Sequence, residues 1–158
     1  MPADALRVAQ IYVDSWNAGF PVEWRGAVLD ENRIARWRAE LTGGATSWWV
    51  AEQSAGTVVG FVGIGPSRDP VDATLGELDT IGVEPRCWRK GVGTALMQTA
   101  LEALAKEGFR EAILWTVAGY DAAQRFYASA GWTKDGGVRD NGHQVSFRHS
   151  LQEFRPVP

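Results

Sequence analysis

The segment at residues 83–96 constrains the fold of this chain more than any other part of its sequence. A short apolar run ends at Val83, a proline and basic residues follow, and Gly91-Val92-Gly93 then opens an amphipathic helical pattern. A strand, a glycine loop and a helix in this order create an anion site. The first N–H groups of a helix have no partner within it and carry the positive end of its dipole. The segment therefore predicts a site for a phosphate-bearing ligand.

The spacing of the glycines excludes the common nucleotide-binding loops. The Walker motif places a lysine and then Ser or Thr after its last glycine, whereas Lys90 precedes Gly91. The dinucleotide fingerprint requires a further glycine at the position that holds Leu96. Neither nucleotide motif accounts for the segment.

The segment resembles the acetyl-coenzyme A loop of the GNAT superfamily of N-acetyltransferases. That loop usually reads Val-x-Pro, then a Gln or Arg, then Gly-x-Gly or Gly-x-Ala, and this chain keeps Val83, Pro85 and both glycines. Trp88 stands at the Gln or Arg position, whose side chain normally helps to hold the pyrophosphate. Arg86 or Arg89 would then have to supply the positive charge.

A second GNAT signature lies downstream, at residues 120–132. Its pattern is matched by Ala123, Tyr127, Gly131 and Trp132, while Tyr120 replaces the usual asparagine. Because both signatures occur in the expected order and separation, the chain is identified as a member of the superfamily. The pairs Ser15-Trp16 and Arg36-Trp37 also resemble many bacterial members, in the region that shapes the acceptor pocket.

The order of the predicted elements is that of one α/β (α+β) domain over residues 1–158. Helices are predicted at residues 4–18, 30–42, 94–107 and 121–130, strands at 46–53, 57–65, 77–83, 111–117, 132–133 and 143–151, and a loop at 66–74. The resemblance implies a mixed, mostly antiparallel central sheet flanked by helices. In the family a strand precedes the first helix, but no strand pattern does so here. Either the start codon is placed too far downstream or the fold lacks that strand.

Composition limits the partners and the location. A net charge of −3 and a pI near 5.4 argue against nucleic acid, which usually binds a basic face. The sequence contains no signal-peptide pattern and no apolar run of membrane-spanning length, so we expect a cytoplasmic protein with no membrane partner. Cys87 is the single cysteine, and His143 and His149 lack acidic or sulfur neighbours, so no metal site is expected. The resemblance makes a homodimer an expectation.

Acyl transfer to an amine requires the amine to be neutral. A lysine-like amine with a pKa of about 10.4 is only about one part in a thousand neutral near pH 7.4, a deficit of ~4 kcal/mol that a nearby carboxylate base would offset. Glu77 is the first candidate for this base and Asp79 the second, because residues in alternate positions of a regular strand point to the same face. Either carboxylate could instead pair with an arginine or cap a backbone group.

The resemblance implies further roles. Tyr127 would donate a proton to the leaving coenzyme A sulfur, and main-chain groups of Ile81 and Val83 would pair with the pantetheine arm. The other implied cofactor-binding residues are Arg89, Lys90, Gly91, Val92, Gly93, Thr94 and Tyr120. The chain is therefore expected to be an acetyl-CoA-dependent N-acetyltransferase that acts on a primary amine of a small molecule or peptide. The alternative is a non-catalytic domain that binds or senses acyl-CoA.

Overall fold

The structure is a computed structural model that describes residues 2–152, apart from the side chains of Pro2 and Trp24. Its helices are α1 (Ala5–Gly19), α2 (Glu31–Thr42), α3 (Val92–Lys106) and α4 (Asp121–Ser129). Its strands are β1 (Ser47–Glu52), β2 (Val58–Arg68), β3 (Val71–Val83), β4 (Glu111–Val117), β5 (Thr133–Arg139) and β6 (Gln144–Ser150). The predicted domain extends to residue 158, and residues 153–158 lie outside the described part.

The strands form one six-stranded sheet in the order β1-β2-β3-β4-β6-β5. Every neighbouring pair is antiparallel except β3 and β4, which are parallel. Parallel neighbours require a crossover connection, and α3 provides it. This arrangement confirms the predicted mixed, mostly antiparallel sheet with flanking helices.

Apolar side chains cover both faces of the sheet. Neighbouring residues of a strand point to opposite faces, so Phe61 packs with α1 and α2 while Val62 packs with α3. Helix α4 lies on the α3 side, where Phe126 and Tyr127 pack against the larger core. Helices α1 and α2 therefore cover one face of the sheet, and α3 and α4 cover the other. A ligand that passes between the strands of the sheet would contact helices on both faces.

Most predicted elements are confirmed within a few residues. The strand predicted at 111–117 coincides with β4, and Asp30 caps α2 by accepting a hydrogen bond of 2.8 Å from the Arg33 N–H. Helix α3 begins at Val92, slightly earlier than its predicted start. Within the described residues no strand precedes α1, and no helix is both long and apolar enough to cross a membrane.

The loop predicted at residues 66–74 is wrong, because β2 and β3 continue through it as a hairpin. Arg68 pairs with Val71, and the Ser67 hydroxyl donates a hydrogen bond of 2.6 Å to the Pro70 carbonyl. Cross-strand pairing thus overrides the polar composition, which had indicated a loop. The strand predicted at 132–133 is likewise too short, since β5 continues to Arg139 through an irregularity in its pairing with β6.

Candidate active site

A cavity of about 540 Å³ opens where β3 and β4 diverge. These strands pair only at Gly76–Ala112 and Glu77–Ile113, so the following residues of β3 have no partner strand on that side. The cavity is lined by residues 79–83 of β3 on one side and residues 115–117 of β4 on the other. It also reaches side chains of α1 on one face of the sheet and of α3 and α4 on the other.

A β-bulge in β3 lies at the edge of this cavity. Leu78 pairs with Ile64 and Thr80 pairs with Gly63, so Asp79 between them has no partner in β2. A bulge re-aims side chains relative to a regular strand. As a result Asp79 lines the cavity, whereas Glu77, which is 7% exposed, is not among the lining residues.

Arg68 links the two carboxyl groups. Its guanidinium forms an ion pair with Asp79, and its Nε lies 3.4 Å from Glu77 Oε2. Burial raises the pKa of Glu77; Arg68 opposes that rise and the charge of Asp79 adds to it. Asp79 also accepts a hydrogen bond of 2.8 Å from the Thr80 hydroxyl. Both candidate bases therefore contact an arginine, as the alternative interpretation anticipated, and they do so beside the cavity.

The backbone of β3 offers hydrogen-bonding groups to the cavity. The Glu84 N–H donates to the Val59 carbonyl at 2.8 Å, which makes these two residues a hydrogen-bonded pair of the β2–β3 ladder. Hydrogen-bonded and non-hydrogen-bonded pairs alternate along an antiparallel ladder. The N–H and C=O groups of Ile81 and Val83 therefore point away from β2, towards the opening. The indole N–H of Trp88 donates to the Val83 carbonyl at 2.7 Å.

The loop before α3 contains two residues in the left-handed backbone conformation. Gly91 caps α3 with a φ of +86°, a left-handed conformation that suits glycine, and Arg89 has a φ of +60°. The loop and helix start contribute Trp88, Arg89, Gly91, Gly93 and Thr94 to the cavity lining. Lys90 and Val92 do not line it; the Val92 side chain instead packs towards Gly60 of β2.

The two arginines proposed to replace the usual Gln or Arg differ in their surroundings. Arg86 donates to Glu84 Oε1 at 2.7 Å, and Arg7 of α1 donates to Glu84 Oε2 at 2.6 Å. Burial alone would raise the pKa of Glu84, but hydrogen bonds and charge from both arginines outweigh it and lower that pKa. Arg86 is thus held in an ion-pair cluster, and Arg89 is the arginine that lines the cavity.

Tyr127 and Tyr120 both line the cavity, from α4 and its N-cap. The Tyr127 ring packs against Phe147, with ring centroids 6.0 Å apart, and burial raises the pKa of its hydroxyl well above the ordinary value. Tyr120 packs against Phe20 at the end of α1, with centroids 4.7 Å apart. A Cβ atom at Gly19 would collide with the Tyr120 hydroxyl. The residue at the usual asparagine position therefore contacts α1.

Several cavity residues had no catalytic or cofactor-binding role in the sequence-based predictions, although the resemblance had placed Ser15 and Trp16 in the acceptor region. They are Tyr12, Ser15, Trp16, Phe20, Phe61, Trp115, Thr116 and Gln144. The aromatic spacing of Tyr12, Trp16 and Phe20 was visible as a stripe along one side of a helix, but such stripes usually indicate core packing. Nothing in the local sequence pattern of β4 distinguishes the side of that strand which borders the cavity.

Comparisons with known proteins agree with the family predicted from the sequence. The model of the acetyltransferase (GNAT) family matches residues 6–132. The chain is 27% identical over 118 residues to the uncharacterized N-acetyltransferase YuaI of Bacillus subtilis (strain 168), covering 72% of this chain and 66% of that protein. It is 34% identical over 100 residues to N-acetyltransferase family 8 member 3 of Rattus norvegicus, covering 63% of this chain and 43% of that protein.

Solved structures show the same architecture. The yncA protein of Salmonella typhimurium, solved with its cofactor acetyl-CoA, superposes with a TM-score of 0.73 at 22% identity, covering 100% of this chain and 94% of that one. At 22% sequence identity, this structural similarity supports the fold alone. The family model covers most of the chain, including both sequence signatures. The chain belongs to the acetyltransferase (GNAT) family.

Proposed function

We propose that this chain is an acetyl-CoA-dependent N-acetyltransferase that transfers an acetyl group to a primary amine of a small molecule or peptide by direct attack. One observation carries the proposal: a single cavity joins the loop before α3, the free edge of β3, a carboxylate at Asp79 and a phenol at Tyr127. The spans matched in the relatives are about two thirds and less than half of their lengths, so the activity is inferred for this chain from its own site.

The donor groups of the cavity fit a long, phosphate-bearing thioester. The α3 N-terminus with Gly91, together with Arg89, suits the pyrophosphate. The outward-facing backbone groups of Ile81 and Val83 suit the pantetheine amides, although the Val83 carbonyl already accepts from Trp88. Acetyl-coenzyme A, when bound, supplies the acetyl group as a thioester. A metal is not needed for this chemistry.

We assign the proton transfers to the carboxylate pair and to Tyr127. Asp79, the second candidate for the base, lines the cavity and so can contact the incoming amine directly. Glu77, the first candidate, would act through a bridging water. As the amine nitrogen bonds to the acetyl carbon, the nitrogen gives a proton to the carboxylate base, the C–S bond breaks, and Tyr127 donates its proton to the sulfur. Tyr127 is protonated at neutral pH, as an acid requires, because the ordinary pKa of a phenol is about 10 and burial raises the pKa of Tyr127 further.

Tyr127→Phe tests the proposed acid. We expect turnover to fall by about 100-fold or more, because the leaving sulfur loses its proton donor, while coenzyme A affinity stays nearly unchanged. A thiol-release assay across an amine panel measures turnover, and calorimetry measures coenzyme A binding. Wild-type turnover in the variant would contradict the assignment of Tyr127.

The same two measurements separate the proposal from its alternative. Coenzyme A binding without thiol release for any amine would support a non-catalytic binding or sensing domain. Binding weaker than about millimolar would count against both functions.

A further inference from the structure

One side of the cavity is a continuous aromatic wall, made of Tyr12 and Trp16 of α1, its C-cap Phe20, and Tyr120 at the N-cap of α4. Ring centroids are 5.6 Å apart for Tyr12 and Trp16, 4.1 Å for Trp16 and Phe20, and 4.7 Å for Phe20 and Tyr120. The Trp16 and Phe20 rings are stacked. Each of the four residues is only partly buried, so the wall presents ring surface to the cavity.

The sequence of α1 builds this wall. Residues four apart lie on the same side of a helix, which aligns Tyr12, Trp16 and the C-capping Phe20. Gly19 completes it, because its missing Cβ leaves room for the Tyr120 hydroxyl. Other than these rings, α1 contributes Ser15 to the lining, and its hydroxyl donates to the Tyr12 carbonyl at 3.2 Å. Apart from the phenol groups of Tyr12 and Tyr120 and the indole of Trp16, the wall thus presents apolar ring faces, which suit a planar apolar group.

Strand β3 contributes a carboxylate, that of Asp79, to the same cavity. Burial raises the pKa of Tyr12, Arg33 and Arg36 oppose that rise, and the charge of Asp79 adds to it, so Asp79 acts on the Tyr12 end of the wall. The Arg33 guanidinium lies 5.3 Å from the centroid of the Tyr12 ring. Arg68 is the arginine that contacts both Glu77 and Asp79, so the cluster is net negative when both carboxyl groups are ionised. A cation that enters the cavity would therefore be drawn to the Asp79 side.

We propose that the acceptor is a primary amine that carries an aromatic ring, with the ring against the aromatic wall and the amine at Asp79. This inference rests on the proposed function and names its substrate class. A planar ring gains from stacking on the wall in addition to its burial, whereas a linear alkyl chain gains from burial alone. An aminosugar would place several hydroxyl groups against ring faces, which offer them fewer hydrogen-bond partners than water does.

Calorimetry on the protein saturated with coenzyme A tests the inference with 2-phenylethylamine, n-hexylamine and glucosamine. We expect the aromatic amine to bind about tenfold more tightly than hexylamine, and glucosamine to bind most weakly. The thiol-release assay should rank the amines in the same order by kcat/KM. Equal binding of phenylethylamine and hexylamine, tighter binding of glucosamine, or no binding of any of them would overturn the inference.

Two variants tie the preference to the wall. Trp16→Leu removes a ring, and Gly19→Ala displaces Tyr120 without removing one; each should reduce the ratio of phenylethylamine to hexylamine affinity towards unity. Trp49→Leu is the matched control, because Trp49 packs on the α3 side of the sheet and does not line the cavity. A ratio unchanged in both wall variants would overturn the inference.

Calorimetry and the thiol-release assay distinguish a failure of this inference from a failure of the proposed function. An aromatic preference in calorimetry without thiol release for any amine would support the wall and contradict the proposed function. Thiol release without an aromatic preference would support the proposed function and contradict the aromatic acceptor.

Discussion

At the scale of single residues, the site depends on how one arginine divides its contacts between two acids. Arg68 contacts both Glu77 and Asp79, yet only Asp79 lines the cavity. The bulge at Asp79 is the physical cause, since it interrupts the alternation that would place both side chains in equivalent positions. Two acids close in the chain thus differ in burial and in access to an amine.

Arg68→Gln is expected to move the acid limb of kcat/KM to higher pH. Burial raises the pKa of Glu77 and Arg68 lowers it, so loss of the guanidinium should raise that pKa further. A base must be ionised, and activity would then be lost at a higher pH as the pH falls. A pH profile from the thiol-release assay measures the shift.

A second variant identifies which acid is responsible. If Glu77 is the base, Glu77→Gln in the Arg68→Gln background should remove the shifted limb, whereas a persistent limb would show that Glu77 is not its source. Arg38→Gln on α2 is the matched control, because Arg38 does not line the cavity. An acid limb that stays in place in Arg68→Gln would contradict the role of the carboxylate pair.

At the scale of elements, the loop between β3 and α3 joins the cavity to the rest of the fold. Glu84, at the end of β3, accepts hydrogen bonds from Arg7 of α1 and from Arg86 of the loop. The indole N–H of Trp88 donates a hydrogen bond to the Val83 carbonyl of β3. The loop therefore has a defined position, which an anion site made from backbone N–H groups requires.

Gly91→Ala should weaken coenzyme A binding and lower the free energy of unfolding by about 1 kcal/mol, because Gly91 has a positive φ that disfavours a side chain. A Cβ atom there would meet no other atom within 4 Å, so the effect would come from the backbone. Urea denaturation and calorimetry measure the two quantities.

Gly43→Ala is the control for this variant. Gly43 caps the end of α2 in an extended conformation, and a Cβ atom at that position also meets open space. We expect it to leave both quantities nearly unchanged. Equal effects of the two substitutions would show that the conformation of Gly91 is not what matters.

At the scale of the whole molecule, the cavity collects residues from both faces of the sheet. Tyr12 of α1, Asp79 of β3, Thr116 of β4 and Tyr127 of α4 all line it. The divergence of β3 and β4 opens the sheet between the two hydrophobic cores. A ligand in this position would hold together elements from the whole length of the chain.

Coenzyme A should therefore stabilise the entire fold. At a free concentration about 100 times its Kd, binding to the native state alone adds about 2.7 kcal/mol to the free energy of unfolding. Urea denaturation with and without the ligand measures this gain, which should shrink in Gly91→Ala at the same concentration. Unchanged stability at saturation would contradict binding in this cavity.

The sequence alone predicted the family, the anion-binding loop and most helices and strands. These features are local: Gly91 follows a strand, α3 has a helical period, and Tyr127 lies at a fixed distance before Gly131. Such features depend on backbone preferences and spacing within short segments, which can be read from the residues themselves. The hairpin at residues 66–74 was missed because its pairing, and not its composition, makes it a strand.

Only the tertiary structure decided which residues meet in the cavity. The divergence of β3 and β4, the position of Arg68 between two acids, and the contact of Tyr120 with Gly19 all join residues that are distant in the chain or depend on a bulge. Local periodicity carries no information on such pairs, because they form when whole elements pack against one another. Sequence thus determined the family and predicted the loop before α3, while packing determined which side chains line the cavity.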